Sequence, residues 1–429
     1  MLVKKSLSVL PLAMFGVLNA GSINAQESEA QEKTLEERIQ ALEEEIRVVK
    51  RENAALRNNV ESEEEVTEEA SSDDSEDGIS FGGAVRFQYV VTDYDDAQRS
   101  RGGDLDFDIF RLDVNGKMGD VILSAQYRWF EYMESLRHAF FGYNFTDEWQ
   151  GQVGVVIQPF GIMPYNSQNY FFSTNFYVGM EDNPGSGVRF LKRTDTWDLD
   201  FAFILNDELG GVTGSVRSSA DRYNYDVVGL RLPGEGTFDD PTSLASENNT
   251  LMTRIAHKWD LGNDRMVEVG VSGQYGSFND GDRNIGDRKN FGLHALYHTG
   301  PWKFQAQYST YDYDFDIDNE GVIVGAYAYY DTMPTSADLY TANIAYSMPV
   351  DIGPISNIEF YNNLSVMTNK TGLDDDTVMN VLGMAISAGG VYTYVDLASA
   401  KNQPFVGGST GVDGGSTNTR FNINFGYYF

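Results

Sequence analysis

The chain has 429 residues, 64 acids against 31 Lys and Arg, a net charge of −33 and no cysteine. So acidic a chain argues against nucleic acid as a partner, and the lack of Cys excludes a disulfide scaffold and thiolate metal sites. Mean hydropathy is −0.36, and no apolar run of about 18 residues lies beyond the N-terminus, which excludes membrane-spanning helices but not barrels, whose alternating strands average to neutral.

Residues 1–25 read as a signal peptide. Lys4 and Lys5 precede an apolar stretch from Leu7 to Leu18, and Ile23-Asn24-Ala25 offers a cleavage site. From Leu35 the apolar spacing alternates between four and three. Ile39, Ile46, Asn53 and Val60 take a positions; Leu35, Leu42, Val49 and Leu56 take d positions. This seam predicts an α-helical coiled coil over residues 26–60 and is the expected oligomerisation surface. The flanking pairs Arg38–Glu43, Glu45–Lys50 and Glu52–Arg57 are opposite in sign at g and e′. Asn53 at an a position fixes register at a cost in stability. Ile at a with Leu at d leans toward two helices, while the barrel that follows argues for three; three is the expectation. Residues 61–77 hold ten acids and no base. They cannot bury a core and predict a solvated tether. With −13 on residues 26–77 and +2 on the leader, −22 remains on residues 78–429.

From Phe81 onward, amphipathic strands recur between turn signals. Val121, Leu123, Ala125, Tyr127 and Trp129 oppose Ser124, Gln126 and Arg128. Trp197, Leu199, Phe201, Phe203 and Leu205 oppose Asp198 and Asp200; Trp302, Phe304, Ala306 and Tyr308 oppose Lys303, Gln305 and Gln307. Charge collects on the less apolar parity, as a watery lumen requires. Short turns fall at Lys117–Asp120, Phe145–Glu148, Arg193–Thr196, Asp260–Asp264, Thr299–Pro301, Val350–Pro354 and Ala388–Gly390. Seven short turns join eight hairpins, which predicts a 16-stranded antiparallel transmembrane β-barrel over residues 78–429; 18 strands is the alternative. The count requires that the strand-like runs Tyr223–Leu232 and Val322–Tyr330 belong to long outer loops.

The third outer connection, Pro159 to Gly185, carries seven aromatics, including Tyr165, Tyr170, Phe172 and Tyr177. A loop in water would not normally expose so many rings. It is expected to fold into the lumen and narrow it. Glu181 and Asp182 come late in it, and the neighbouring strands supply Arg86, Arg111, Arg128 and Arg137. Acids facing bases across a constriction would set up a transverse field that screens solutes. The opposing reading is that these arginines only pair with wall acids such as Asp106 and Asp113.

No catalytic motif is present, no metal site is expected from the four His, and no cofactor is expected. The protein is read as not an enzyme. The Gly- and Asp-rich stretches Asn279–Asp287 and Asp374–Asp376 read as solvated loop tips, with loose Ca²⁺ binding as the alternative. The last twelve residues, Asn418 to Phe429, place Phe421, Ile423, Phe425, Tyr427 and Phe429 on one parity and Asn422, Asn424 and Gly426 on the other. This is the pattern of a closing strand, greasy outside and polar inside. Its terminal Phe resembles the signal read by the barrel assembly machinery of Gram-negative outer membranes.

The segment Leu136–Ile162 (LRHAFFGYNFTDEWQGQVGVVIQPFGI) resembles the stretch of phosphate-selective (O/P-type) and related substrate-selective porins in which a strand ending in PFG enters the third loop. The order of signal peptide, coiled coil and barrel resembles that of the sucrose and dicarboxylate porins. The resemblance implies a homotrimeric barrel of 16 or 18 strands. A phosphate channel would imply a dense ladder of Arg and Lys, which a domain at −22 does not offer, so phosphate selectivity is not carried over. The expectation is an outer-membrane porin with a periplasmic coiled coil, in contact with lipid and lipopolysaccharide. It would pass small hydrophilic solutes, sugars first and organic or inorganic anions second. A barrel-anchored envelope tether is the reading from another class.

Overall fold

A computed structural model describes residues 77–214 and 219–429. The signal peptide, the coiled-coil seam from Leu35 to Val60 and all of the acidic tether but Asp77 lie outside the described residues. Among the described residues, twenty strands form two sheets. The first seven are β1 (Gly78–Thr92), β2 (Asp104–Met118), β3 (Val121–Phe130), β4 (Glu134–Asn144), β5 (Trp149–Ile157), β6 (Pro184–Arg193) and β7 (Trp197–Asn206). Next come β8 (Asp226–Arg231), β9 (Ser243–Leu244), β10 (Ser246–Asp260), β11 (Arg265–Asn279), β12 (Asn284–Thr299) and β13 (Trp302–Phe315). The last are β14 (Gly321–Ala326), β15 (Tyr329–Met333), β16 (Ser336–Ile352), β17 (Ile355–Thr368), β18 (Thr377–Ala388), β19 (Val391–Lys401) and β20 (Thr417–Tyr428).

Sixteen of these close into one antiparallel barrel, in the order β1 to β7, β10 to β13, β16 to β20. The seven short turns fall where the sequence puts them. The two strand-like runs set aside from the count are β8 with neighbouring residues and the β14–β15 hairpin. They join β9 in a separate sheet ordered β15-β14-β8-β9. The barrel closes by β1 pairing with β20. Its last residue completes the seam: Gly83 N donates to Phe429 O at 2.8 Å and Phe429 N donates to Gly83 O at 3.0 Å.

The wall is inverted relative to a protein built for water. Phe81, Leu105, Phe141 and Leu382 are 70%, 66%, 60% and 58% exposed on the outer face. Gln126, Asp200, His294 and Asn422 are buried on the inner face. An apolar surface ringing a closed barrel matches a hydrocarbon surround. Aromatics gather near the short-turn end. Phe145 packs on Tyr143 and Phe190, His257 lies between Trp197 and Trp259, and Trp302 meets Tyr346 at 4.7 Å. Amphipathic rings at this height form an interfacial girdle.

Candidate functional site

The connection between β5 and β6, residues 158–183, folds into the barrel and crosses to the far wall. A loop away from water must satisfy its backbone groups by other means, and the inward-facing amides and hydroxyls of the wall do so. Gly161 N donates to Ser272 Oγ (2.9 Å) and Ile162 N to Gln307 Oε1 (2.8 Å). Gln168 N donates to Asn363 Oδ1 (3.1 Å), Tyr170 N to Asp396 Oδ2 (3.1 Å) and Thr174 N to Ser365 Oγ (3.2 Å). In return, Asn343 Nδ2 donates to Asn166 O (2.9 Å) and Arg254 Nε to Gly161 O (2.7 Å). The second sheet covers the loop at the long-connection end. Every residue of β8 and β14 is buried. Phe176 of the loop meets Tyr223 and Tyr225 edge-on at 5.9 Å each.

Glu181 and Asp182 do not face the basic wall across an opening, contrary to the expected transverse field. Both are buried. The Asp182 carboxylate takes a bidentate pair of bonds from Arg137 and a third from Tyr223 Oη at 2.5 Å. Arg137, expected at the constriction, is therefore a buried anchor that ties β4 to the loop and, through Asp182 and Tyr223, to the segment leading into β8. Glu181 accepts bonds from Asn166 N (2.8 Å), Ser173 N (3.2 Å) and Ser173 Oγ (2.5 Å), closing the loop on itself. Burial raises its pKa to about 7 despite these bonds.

Beside the loop remains a cavity of about 590 Å³. Its lining runs from Phe130, Tyr132, Tyr327 and Phe405 at the long-connection end to Gly300, Pro301 and Lys303 at the short-turn end. Of the residues singled out in the sequence, Tyr165, Tyr170, Phe172, Tyr177, Arg86, Arg111 and Arg128 line it; Glu181, Asp182 and Arg137 do not. The three arginines stand on adjacent strands facing inward, with Arg111 directly opposite Arg128 in register. Arg86 pairs with Asp108 at 2.8 Å and Arg111 with Asp113 at 2.9 Å, both acids being buried in the wall. Arg128 makes no ion pair among the described residues. It bonds to Gln126 Oε1 (2.8 and 2.6 Å) and lies over the Tyr223 ring at 4.5 Å. Of the three, two are paired to wall acids, Asp108 and Asp113, and one is not. Among lining groups the cations Arg86, Arg111, Arg128 and Lys303 outnumber the carboxylate Glu359.

Tyr327, in the turn between β14 and β15, and Phe405, in the connection between β19 and β20, line the cavity without having been singled out in the sequence. The anchoring amides were visible only as polar parity, as with Gln305 and Gln307.

No protein-family model and no curated protein matches the chain in sequence. Solved structures do match in fold. An anion-selective porin from Comamonas acidovorans aligns with a TM-score of 0.51 at 14% identity, covering 82% of this chain and 100% of that one. OprB from Pseudomonas putida aligns at 0.52 and 9% identity, covering 82% and 94%. In-vitro folded OmpT in trimer form, an outer membrane protein of Vibrio cholerae, aligns at 0.50 and 14% identity, covering 83% and 100%. What this chain shares with them is architecture: it has the closed 16-stranded barrel fold of outer-membrane porins.

Proposed function

We propose that this chain is an outer-membrane porin, a passive channel for small hydrophilic solutes with a preference for anions. The observation that carries this is the cavity beside the inward loop, walled by Arg86, Arg111 and Arg128 on one side and by loop aromatics and amides on the other. In a confined, low-dielectric passage, fixed charge on the lining outweighs the net charge of the chain. The −22 of residues 78–429 therefore does not decide selectivity. Asp108 and Asp113 are buried and do not line the cavity, whereas Arg86 and Arg111 do, so the guanidinium groups meet a solute first. Passage needs no energy input and no cofactor. The porin relatives in fold include one described as trimeric and one as anion-selective, which supports a homotrimer here, with the coiled-coil segment in the periplasm. The loop rings also suit the faces of sugars, which keeps neutral solutes as the second reading.

The test is conductance of the refolded protein in planar lipid bilayers. A trimeric anion-preferring pore inserts in triplets, and its reversal potential in a KCl gradient takes the sign of chloride permeation. Arg128→Gln lowers that preference while leaving the fold intact. A cation-signed potential would remove the arginine wall from the mechanism. Absence of conductance from a folded barrel would favour the envelope tether.

A further inference from the structure

We propose that Phe172, Tyr327 and Phe405 form a ring-recognition site at the long-connection end of the cavity, with Arg128 meeting the charge of its ligand, so that the site takes planar organic anions such as aromatic carboxylates. The inference rests on the diffusion-pore reading and narrows its solute class.

Among the described residues, ten non-glycine residues have positive φ. Six are Asn or Asp, which tolerate the left-handed region through local hydrogen bonds. Three are aromatic: Phe172 at 60°, Tyr327 at 50° and Phe405 at 62°. A bulky side chain there is an outlier. Such strain persists where surrounding structure enforces it, and it concentrates at functional sites. All three rings line the same cavity, though they come from three different connections.

Each ring is held. Phe172 stacks on Phe176, centroids 4.3 Å apart and planes 8° apart. Tyr327 N donates to Arg222 O at 3.1 Å. The Phe405 carbonyl accepts from Tyr94 Oη at 3.1 Å and Arg420 Nη1 at 3.2 Å. Phe405 meets Tyr327 edge-on at 5.2 Å, and Tyr327 meets Phe130 edge-on at 5.6 Å. Phe130 lies two residues from Arg128 on the inward face of β3, which brings a guanidinium without a carboxylate partner beside the rings. Phe405 also borders a second cavity of about 620 Å³, lined with Phe238, Tyr329, Asn402 and Ser409 and by no carboxylate, Lys or Arg. Rings held in fixed positions recognise a flat body, and an uncompensated guanidinium recognises its carboxylate.

The test uses single channels of the full-length protein in KCl. Conductance without additive reads the pore itself. Benzoate is then titrated, with acetate as the anion lacking a ring. Benzoate is expected to interrupt the current at millimolar levels while acetate does not. Phe405→Ala and Tyr327→Ala are expected to raise the half-blocking benzoate concentration about tenfold, converted as about 1.4 kcal/mol per decade. Block is read relative to each variant's own KCl conductance, which separates a change in the pore from a loss of binding. Phe405→Trp, which keeps a ring, should retain the block. Equal block by acetate, or unchanged block in both alanine variants, overturns the proposal. If no current passes at all, the pore reading fails, and calorimetric titration of benzoate into the refolded barrel still decides the site: binding lost in Phe405→Ala supports it, and no binding by the parent overturns it.

Discussion

The barrel wall and the loops that fill it face one problem, backbone polar groups held away from bulk water, and solve it in opposite ways. The wall pairs N–H to C=O between strands, so any side chain of suitable polarity serves at each position. The inserted connection has no ladder. Its backbone at Gly161, Ile162, Gln168, Tyr170 and Thr174 is satisfied by named side chains on five wall strands, β11, β13, β17 and β19 among them. The first arrangement tolerates substitution and the second does not. Stability of the barrel and geometry of the passage should therefore respond to different residues.

The sharpest way to test the contrast is the buried Arg137–Asp182 pair, which ties the wall to the loop and, through Tyr223, to the segment leading into β8. Arg137→Ala leaves a carboxylate buried without its partner, which costs about 3–5 kcal/mol. The barrel ladder is untouched. The expected result is a barrel that still migrates as a heat-modifiable species, with larger and noisier single-channel conductance as the loop loosens. Loss of the folded species altogether would mean that loop and wall fold as one unit.

A wall substitution should do the reverse. Leu293 lies mid-strand on the outer face of β12, 46% exposed. Leu293→Arg places a charge against hydrocarbon at a cost of about 2–4 kcal/mol. The thermal midpoint of the barrel in detergent or lipid should fall, while conductance of the folded fraction stays that of the parent.

How much was legible follows from the same division. Period 2 reports a face, so strand after strand from Val121–Phe130 to Asn418–Phe429 could be read, and short turns fixed the count. Tyr223–Leu232 and Val322–Tyr330 look like wall strands because they are strands. Only the alternation of short and long connections assigns them elsewhere, and the structure places them in the covering sheet. The loop's destination was legible from its seven aromatics. The destination of its acids was not: Asp182 carries no period, and its partners Arg137 and Tyr223 lie 45 and 41 residues away, in a register that only the folded chain sets. Left-handed aromatics such as Phe405 leave no pattern at all.

Glu181 offers a milder probe of the loop, by pH rather than by deletion. Its folded pKa of about 7 lies above the ordinary glutamate value. The folded loop then binds more protons than the unfolded chain between the two values, so the loop loses stability as pH rises from about 4.5 to 7 and is level above that. The thermal midpoint of loop-dependent conductance should fall over that window. Glu181→Gln, which keeps the shape and stays neutral, should flatten the dependence. A parent protein with no slope there would place the carboxylate in contact with water.

The smallest expected effect comes from one suture. Gln307 Oε1 accepts from Ile162 N at 2.8 Å where the chain enters the lumen. Gln307→Ala leaves that N–H without its acceptor, at about 1–3 kcal/mol if nothing replaces it. The residue sits on β13, whose ladder to β12 and β16 uses only backbone groups. A wall residue matched for burial but without a loop contact should leave the loop as it is, whatever it costs the wall. Gln274, which bonds to Arg288 and Asn290 within the wall, is that control. The contrast between wall and loop predicts that Gln307→Ala increases hydrogen exchange in residues 160–164 and leaves the β12–β13 amides protected. Gln274→Ala should leave both unchanged. Equal exchange in the two variants would mean that water takes the place of Gln307, and that the loop is held by its ensemble of sutures rather than by any one of them.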